Sequence, residues 1–217
     1  MKKIAIILSG MPRIFDSSTI FWQKLIKELD ADLFIHTWDS NTDMLNKMKA
    51  AYQPTAIIID QQVDIDITPY ESRVWPGVNI FNTLSSWYSL TRAVKLTNLY
   101  YDNTHYRPDL VIRSRFDIDA TGIEIFKTSG LVIPMEPPKE PSCFYYQEQF
   151  LVPQQDLIAY GSLELINEYA NTLELMPLIL KNDNTIPFVS EHMLAISLYL
   201  QRVPIVTTKL KFNVIRQ

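Results

Sequence analysis

Cysteine is almost missing from this chain: its 217 residues include one, Cys143. A lone thiol excludes an internal disulfide framework and any zinc cage built from cysteines. Glycine is scarce too, five residues in all, which rules out collagen-like and glycine-rich repeats. There is no charge of one sign to speak of. Twenty Lys and Arg against 24 Asp and Glu leave a net charge of −4, so no global basic field exists to hold nucleic acid or anionic lipid. No stretch reaches the roughly 18 apolar residues of a membrane span. Three catalytic signatures are also absent. Without Gly-x-Gly-x-x-Gly or a P-loop, a dinucleotide oxidoreductase and a P-loop kinase are disfavoured. Without Gly-x-Ser-x-Gly, so is an acyl-transfer nucleophile of that type.

What is present is a globular chain. Hydrophobic residues make up 47% and aromatic residues 12%, a composition that folds. At 25.2 kDa, surface scaling allows roughly 70% of the unfolded chain's surface to be buried. The expected organisation is a single domain over 1–217. The first apolar run, 4–8, is too short for a signal peptide and reads as a buried strand. With a free thiol and no export signal, the expected location is cytoplasmic.

The periodicity predicts strands at 4–8, 31–36, 55–59, 110–112, 131–133, 149–152, 203–207 and 211–215. It predicts helices at 19–29, 44–52 (stopped by Pro54), 80–101, 162–176 (ended or kinked by Pro177) and 189–201. Residues 61–79 read as an irregular excursion and 134–141, with four prolines, as a stiff loop. Strands alternating with helices through residue 119 imply an α/β sandwich with a mainly parallel sheet. In such sheets ligands sit beyond the carboxyl ends of the strands. Those ends carry Ser9 to Arg13, His36 to Asp39, Asp60 and Arg113 to Asp119.

The sharpest pattern is Arg113-x-Arg115-x-Asp117-x-Asp119. While the chain stays extended, these four side chains share one side. Two carboxylates so spaced suit a hard cation, Mg²⁺ or Mn²⁺, completed by water and substrate phosphates. The arginines can pair with phosphate or hold the carboxylates. The competing reading is a solvated ion-pair edge. Next comes Ser9-Gly10-Met11-Pro12-Arg13, where Gly10 lets backbone approach a ligand and Arg13 reaches an anion, or which is a plain turn. In His36-Thr37-Trp38-Asp39, His36 is an acid, base or ligand and Trp38 a stacking surface. Otherwise His36 is satisfied in the core and Asp39 caps the following helix. Glu191-His192 opens a helix behind Ser190, with Glu191 either an acid or base or simply favoured by the helix dipole. Tyr145-Tyr146-Gln147-Glu148-Gln149-Phe150 is either a carbohydrate-binding lining or a strand of packed aromatics. Arg92 and Lys95 on the longest helix either serve a pyrophosphate or are solvated.

Taken in order, several blocks resemble a known family: Ser9-Gly10-x-Pro12-Arg13-x-Phe15, Asp32 to Asp39, Ser86-Trp87-Tyr88-Ser89-Leu90, Pro108 to Asp117, and Ser190-Glu191-His192-x-Leu194. They are similar to small bacterial and viral glycosyltransferases of GT-A type, the WavE-like lipopolysaccharide and capsule enzymes. One block departs: Glu148-Gln149-Phe150 stands where an Asp before the aromatic is expected. The resemblance implies a GT-A-like (Rossmann-like) fold, a nucleotide-sugar donor and transfer to a glycan acceptor in surface-polysaccharide synthesis. It implies Mn²⁺ or Mg²⁺ held by Asp117 and Asp119, with Ser9, Gly10 and Arg13 flanking the nucleotide. Glu191 would stand near the acceptor as base. His36, Trp38, Arg113 and Arg115 complete the expected donor side, with Asp119 beside the reacting groups. On this reading 1–119 is the nucleotide-binding half and 120–217 the acceptor-side half, with peripheral membrane contact left open. The alternative is a non-catalytic nucleotide- or glycan-binding protein of the same fold. A sugar-phosphate nucleotidyltransferase is disfavoured by the lack of a Gly-rich, Lys-bearing loop.

Overall fold

A computed structural model describes residues 3–12, 15–121, 129–134, 144–208 and 211–214. The first strand, β1 (Ile4–Ser9), is buried along its whole length, as its unbroken apolar run requires of a strand covered on both faces. Helix α1 (Phe15–Leu29) leads to β2 (Asp32–Trp38), and α2 (Thr42–Tyr52) to β3 (Ala56–Asp60). Asn41 caps α2, accepting the Met44 N–H at 3.0 Å, so Asp39 is not the cap. Gln53 closes the helix in the left-handed region at φ 45°.

After the short α3 (Thr68–Glu71), the long helix α4 (Ile80–Thr104) crosses back and delivers β4 (Leu110–Arg115). β4 pairs with β1 on the side away from β2. Parallel crossovers are right-handed. A chain that steps β1, β2, β3 with α1 and α2 on one face must therefore return over the other face. That reversal is why α4 lies opposite α1 and α2, and it makes the β1–β4 boundary the topological switch point.

Beyond β4 come β5 (Ile118–Thr121), β6 (Leu131–Pro134), the hairpin β7 (Phe144–Tyr146) and β8 (Gln149–Leu151), and β9 (Ile158–Gly161). Helices α5 (Leu163–Ala170), α6 (Thr172–Asn182) and α7 (Ser190–Leu200) follow, then β10 (Ile205–Thr208) and β11 (Lys211–Val214). The main sheet runs β10-β6-β9-β4-β1-β2-β3. Its pairings are parallel except where β9 lies antiparallel between β4 and β6. The chain thus has the expected α/β architecture, a mainly parallel sheet between two helical layers, with strands from both halves in one sheet. β9 was not expected from the sequence. The predicted 162–176 helix is two, breaking at Asn171, and Pro177 lies inside α6.

Strand alternation sorts the core. Ile4, Ile6 and Leu8 of β1, with Leu33 and Ile35 of β2, pack toward α1 and α2. Ala5, Ile7 and Phe34 pack toward α4. Phe34 is fully buried and sits edge-on between Tyr100 and Tyr101, with centroids at 5.2 and 5.5 Å. Phe34→Ala is expected to lower the unfolding free energy by about 3–5 kcal/mol, measured by urea denaturation. A loss under about 1 kcal/mol would show that these rings do not hold α4 on the sheet.

Candidate functional site

The parity that buries Ala5 and Ile7 under α4 continues to the strand ends. It brings Ser9 of β1, His36 of β2 and Arg115 of β4 to the α4 side. Register makes Ser9 the direct neighbour of both others. One apolar layer of the sheet is therefore replaced, at its carboxyl edge, by a polar row. Just beyond that row a cleft of about 200 Å³ opens, bounded by Ser9, Gly10, Trp38, Arg115 and Asp117 on the sheet side. Phe81, Asn82, Ser85 and Ser86 from the start of α4 form the opposite wall. This lies at the switch point, where α/β sheets hold ligands. The amino end of α4 adds a partial positive charge.

Arg115 and Asp117 dominate its electrostatics. The Arg115 guanidinium donates to both carboxylate oxygens of Asp117, the Nε contact being 2.9 Å and the Nη2 contact shorter. Phe116 and Ile118 both bury in the α1–α2 core, so Asp117 keeps to the cleft side. The chain turns at Phe116–Asp117 before β5 begins. Asp119 lies two residues along, opposite Asn213 of β11, and does not line the cleft. By alternation its Cβ projects away from the face that Ile118 buries. Arg113 is not at the cleft either. It is 4% exposed, lies over the Tyr169 ring at 4.5 Å, and donates through both terminal nitrogens to the Asp156 carbonyl at 2.6 Å.

Gly10 is the glycine the site requires. Its φ of 105° disfavours any side chain, although a Cβ there would meet nothing within 4 Å. Its N–H turns inward, donating to Ser89 Oγ at 2.7 Å and to the His36 carbonyl at 3.2 Å. Behind it lies a continuous chain of bonds. Ser89 Oγ is 2.7 Å from His36 Nδ1, and His36 Nε2 is 3.1 Å from Asp60 Oδ2. Arg92 Nε donates to that same oxygen at 2.8 Å. Ser89, His36 and Asp60 have the composition of a nucleophilic triad, but the ring is turned the other way. In such a triad serine meets Nε2 and the carboxylate Nδ1. Here the contacts are exchanged and Ser89 is fully buried, so this is a structural relay. His36, with no exposed surface, stands behind the cleft wall rather than in it. Trp38 lines the cleft, with one face stacked on Tyr88 at 5.4 Å.

Burial drives the His36 ring below its ordinary value against the pull of Asp60. Burial also opposes the charge of Asp60, but the Arg92 and His36 contacts outweigh it and hold that carboxyl below its usual range. Among the described residues Lys95 makes only an exposed pair with Glu174 at 3.8 Å. Glu191, in the first turn of α7, is half-buried and outside the cleft lining. Burial, then the negative charge of Asp156, raises its carboxyl above the ordinary value. Ser190 beside it donates to Asp156 and accepts the Trp87 indole N–H at 2.9 Å. In the 145–150 segment Tyr146 is buried, whereas Tyr145 and Phe150 meet edge-to-face on the exposed side of the β7–β8 hairpin. Arg13 and Cys143 lie outside the described residues.

Gln62, Asn82, Ser85, Ser86 and Ser89 were not foreseen as site residues. One signal was available: Asn82, Ser85, Ser89 and Arg92 recur at steps of three and four along α4. Such spacing sets a polar stripe along one face of the helix.

No protein-family model matches the chain, and no curated protein matches it. Among solved structures, one resembling it is a protein from Desulfovibrio desulfuricans G20, provisionally described as a nucleotide-diphospho-sugar transferase. The identity is 10% and the TM-score 0.41, over 96% of this chain and 80% of that one. Among the described residues, no helix is long and apolar enough to cross a membrane.

The depressed value of His36, and the similar burial-driven depression at His192, carry a consequence for stability. Below the ordinary value of 6.5 the unfolded chain takes up protons that the fold refuses. Stability therefore rises with pH across that window and falls on acidification. Urea unfolding at pH 7 and at successively lower pH is expected to show this loss, and His36→Asn to flatten it. An unchanged slope in that variant would remove His36 as a source.

Proposed function

We propose that this chain is a glycosyltransferase that takes a nucleotide-sugar donor in the α4 cleft and moves the sugar to a glycan acceptor. The observation that carries this reading is the cleft at the switch point, where Arg115, Asp117 and the amino end of α4 converge beside an aromatic wall. A diphosphate needs cationic and N–H partners of this kind, and Trp38 and Phe81 offer apolar surface for a base or sugar. GT-A-like architecture, a WavE-like relationship and a role in surface-polysaccharide synthesis belong to the same proposal.

Divalent metal fits the donor chemistry. Among the described residues no group of three or more His, Cys, Asp or Glu stands ready to hold an ion. A Mg²⁺ or Mn²⁺ site completed by substrate phosphates needs only one or two carboxylates. Asp117, at the cleft, would hold it, with Asp119, outside the cleft lining, as the proposed second carboxylate. When bound, the ion would supply positive charge to offset the negative charge growing on the departing diphosphate. Arg115 would contribute to the same end from the protein. Glu191 is the proposed proton acceptor for the acceptor hydroxyl. Its raised value makes its carboxylate a stronger base, and Ser190 beside it is tied to Trp87, next in sequence to cleft-lining Ser86.

One observation favours the second reading, a non-catalytic nucleotide-binding protein. Among the described residues Asp117 is the acidic side chain lining the cleft, and Arg115 already holds both its oxygens. Release of nucleoside diphosphate from a panel of sugar nucleotides with Mn²⁺ separates the two. The enzyme is expected to release it slowly, with Asp117→Asn and Asp119→Asn each slowing release by about a hundredfold. Glu191→Gln is expected to slow transfer to acceptor more than donor hydrolysis. Tight binding without release would establish the second reading. Full activity in both aspartate variants would end the metal proposal.

A further inference from the structure

Each hydrogen-bond direction in the relay behind Gly10 follows from the chemistry of its members. Asp60, held ionised by Arg92, can only accept. His36 Nε2 must then carry the proton, and in the neutral ring Nδ1 is a bare acceptor. The hydroxyl facing it at 2.7 Å is therefore the donor, so Ser89 O–H points at Nδ1 in preference to the His36 carbonyl, which lies 3.4 Å away. That leaves the lone pairs of Ser89 Oγ for the Gly10 N–H at 2.7 Å. The polarity runs Gly10 to Ser89 to His36 to Asp60, with Arg92 closing the far end. Four elements, β1, β2, β3 and α4, are joined by it, and Gly10 is the member that borders the cleft.

We infer that His36 is a positioning residue, which through Ser89 fixes the Gly10 amide and so sets the β1 wall of the cleft. The Gly10 N–H, engaged inward, is not a ligand donor. Its role is to hold Ser9, Gly10 and Met11 against α4 in one geometry. The two ring nitrogens have separable duties. Nδ1 sets the wall by accepting from Ser89, whereas Nε2 anchors the ring by donating to Asp60. The effect on the wall stands on the relay alone. Its effect on a nucleotide rests on the function proposed above.

Two conservative replacements divide the duties. In His36→Asn the side-chain oxygen occupies the Nδ1 position and still accepts from Ser89, but the Asp60 bond is gone. In His36→Gln the amide nitrogen occupies the Nε2 position and keeps Asp60, but Ser89 loses the Nδ1 acceptor and is left with the residue-36 carbonyl, 3.4 Å away. Hydrogen exchange at the Gly10 amide reads the relay without any ligand, and thermal melting checks that each variant is folded. Exchange is expected to quicken by about fivefold or more in Ser89→Ala and His36→Gln, the effect of one neutral hydrogen bond, and to stay within about twofold of the native rate in His36→Asn. Equal exchange in the Asn and Gln variants, or native exchange in folded Ser89→Ala, would overturn the inference. Uridine, guanosine and cytidine diphosphates with Mn²⁺ form the second arm. If the exchange pattern holds, the diphosphate that binds is expected to lose affinity in the same two variants and keep it in His36→Asn. If none of the three binds the native protein while the exchange pattern holds, the relay stands and the nucleotide reading falls.

Discussion

The hydrogen-bonded chain from Gly10 through Ser89, His36 and Asp60 to Arg92 is the interaction on which the cleft depends. Over most of its area the α4 face of the sheet is closed by apolar contact, which is strong but has no direction. At the carboxyl edge the same face carries Ser9, His36, Asp60 and Arg115. A polar layer buried under a helix is stable only when its groups satisfy one another. The relay meets that condition: a serine, a histidine and an ion pair link three strands to one helix. Because hydrogen bonds are directional, they hold the β1 turn in a single arrangement, which packing alone would not.

The crossover rule and strand alternation together decide where this layer stands. Right-handed connections send α4 over the face opposite α1 and α2, and reverse the sheet at β1 and β4. Alternation then delivers one polar side chain from each strand end to that face. Neither constraint concerns chemistry, yet their intersection brings Arg115 and Asp117 to the mouth of the cleft. It also separates residues that look equivalent in the sequence. Arg113 and Arg115 share a face of β4, but Arg113 lies one pleat deeper, under Tyr169 and beside Asp156. The Arg113 guanidinium is part of the core, and the Arg115 guanidinium part of the cleft.

A second polar region, around Asp156, Ser190 and Glu191, lies in the α5–α7 layer near Trp87. Its two carboxylates repel, and the burial of Glu191 adds to the cost of its charge. The arrangement raises the Glu191 carboxyl above its ordinary value. It also rigidifies the α7 amino end through Trp87. The cleft and this region meet along α4, whose first turns line one while Trp87 bonds into the other.

Several elements were readable from residues alone, because their physics is local. The unbroken apolar run of 4–8, too short for a signal peptide, reads as a strand covered on both faces. The step-three and step-four pattern of α4 and the turn residues after each strand are equally short-range. From these came the α/β class, the parallel core of the sheet and the strand ends as the place to look. β9 escaped because its four residues take their identity from pairing antiparallel between β4 and β6, a contact no local pattern encodes. His36 was recognised as polar chemistry at a strand end, but its partner Ser89 lies 53 positions away and Asp60 on another strand. Whether a strand-end side chain faces ligand or core was decided by how far along the pleat it falls beneath α4. Sequence spacing gives the side of a strand, and only the packing of helix on sheet gives the depth.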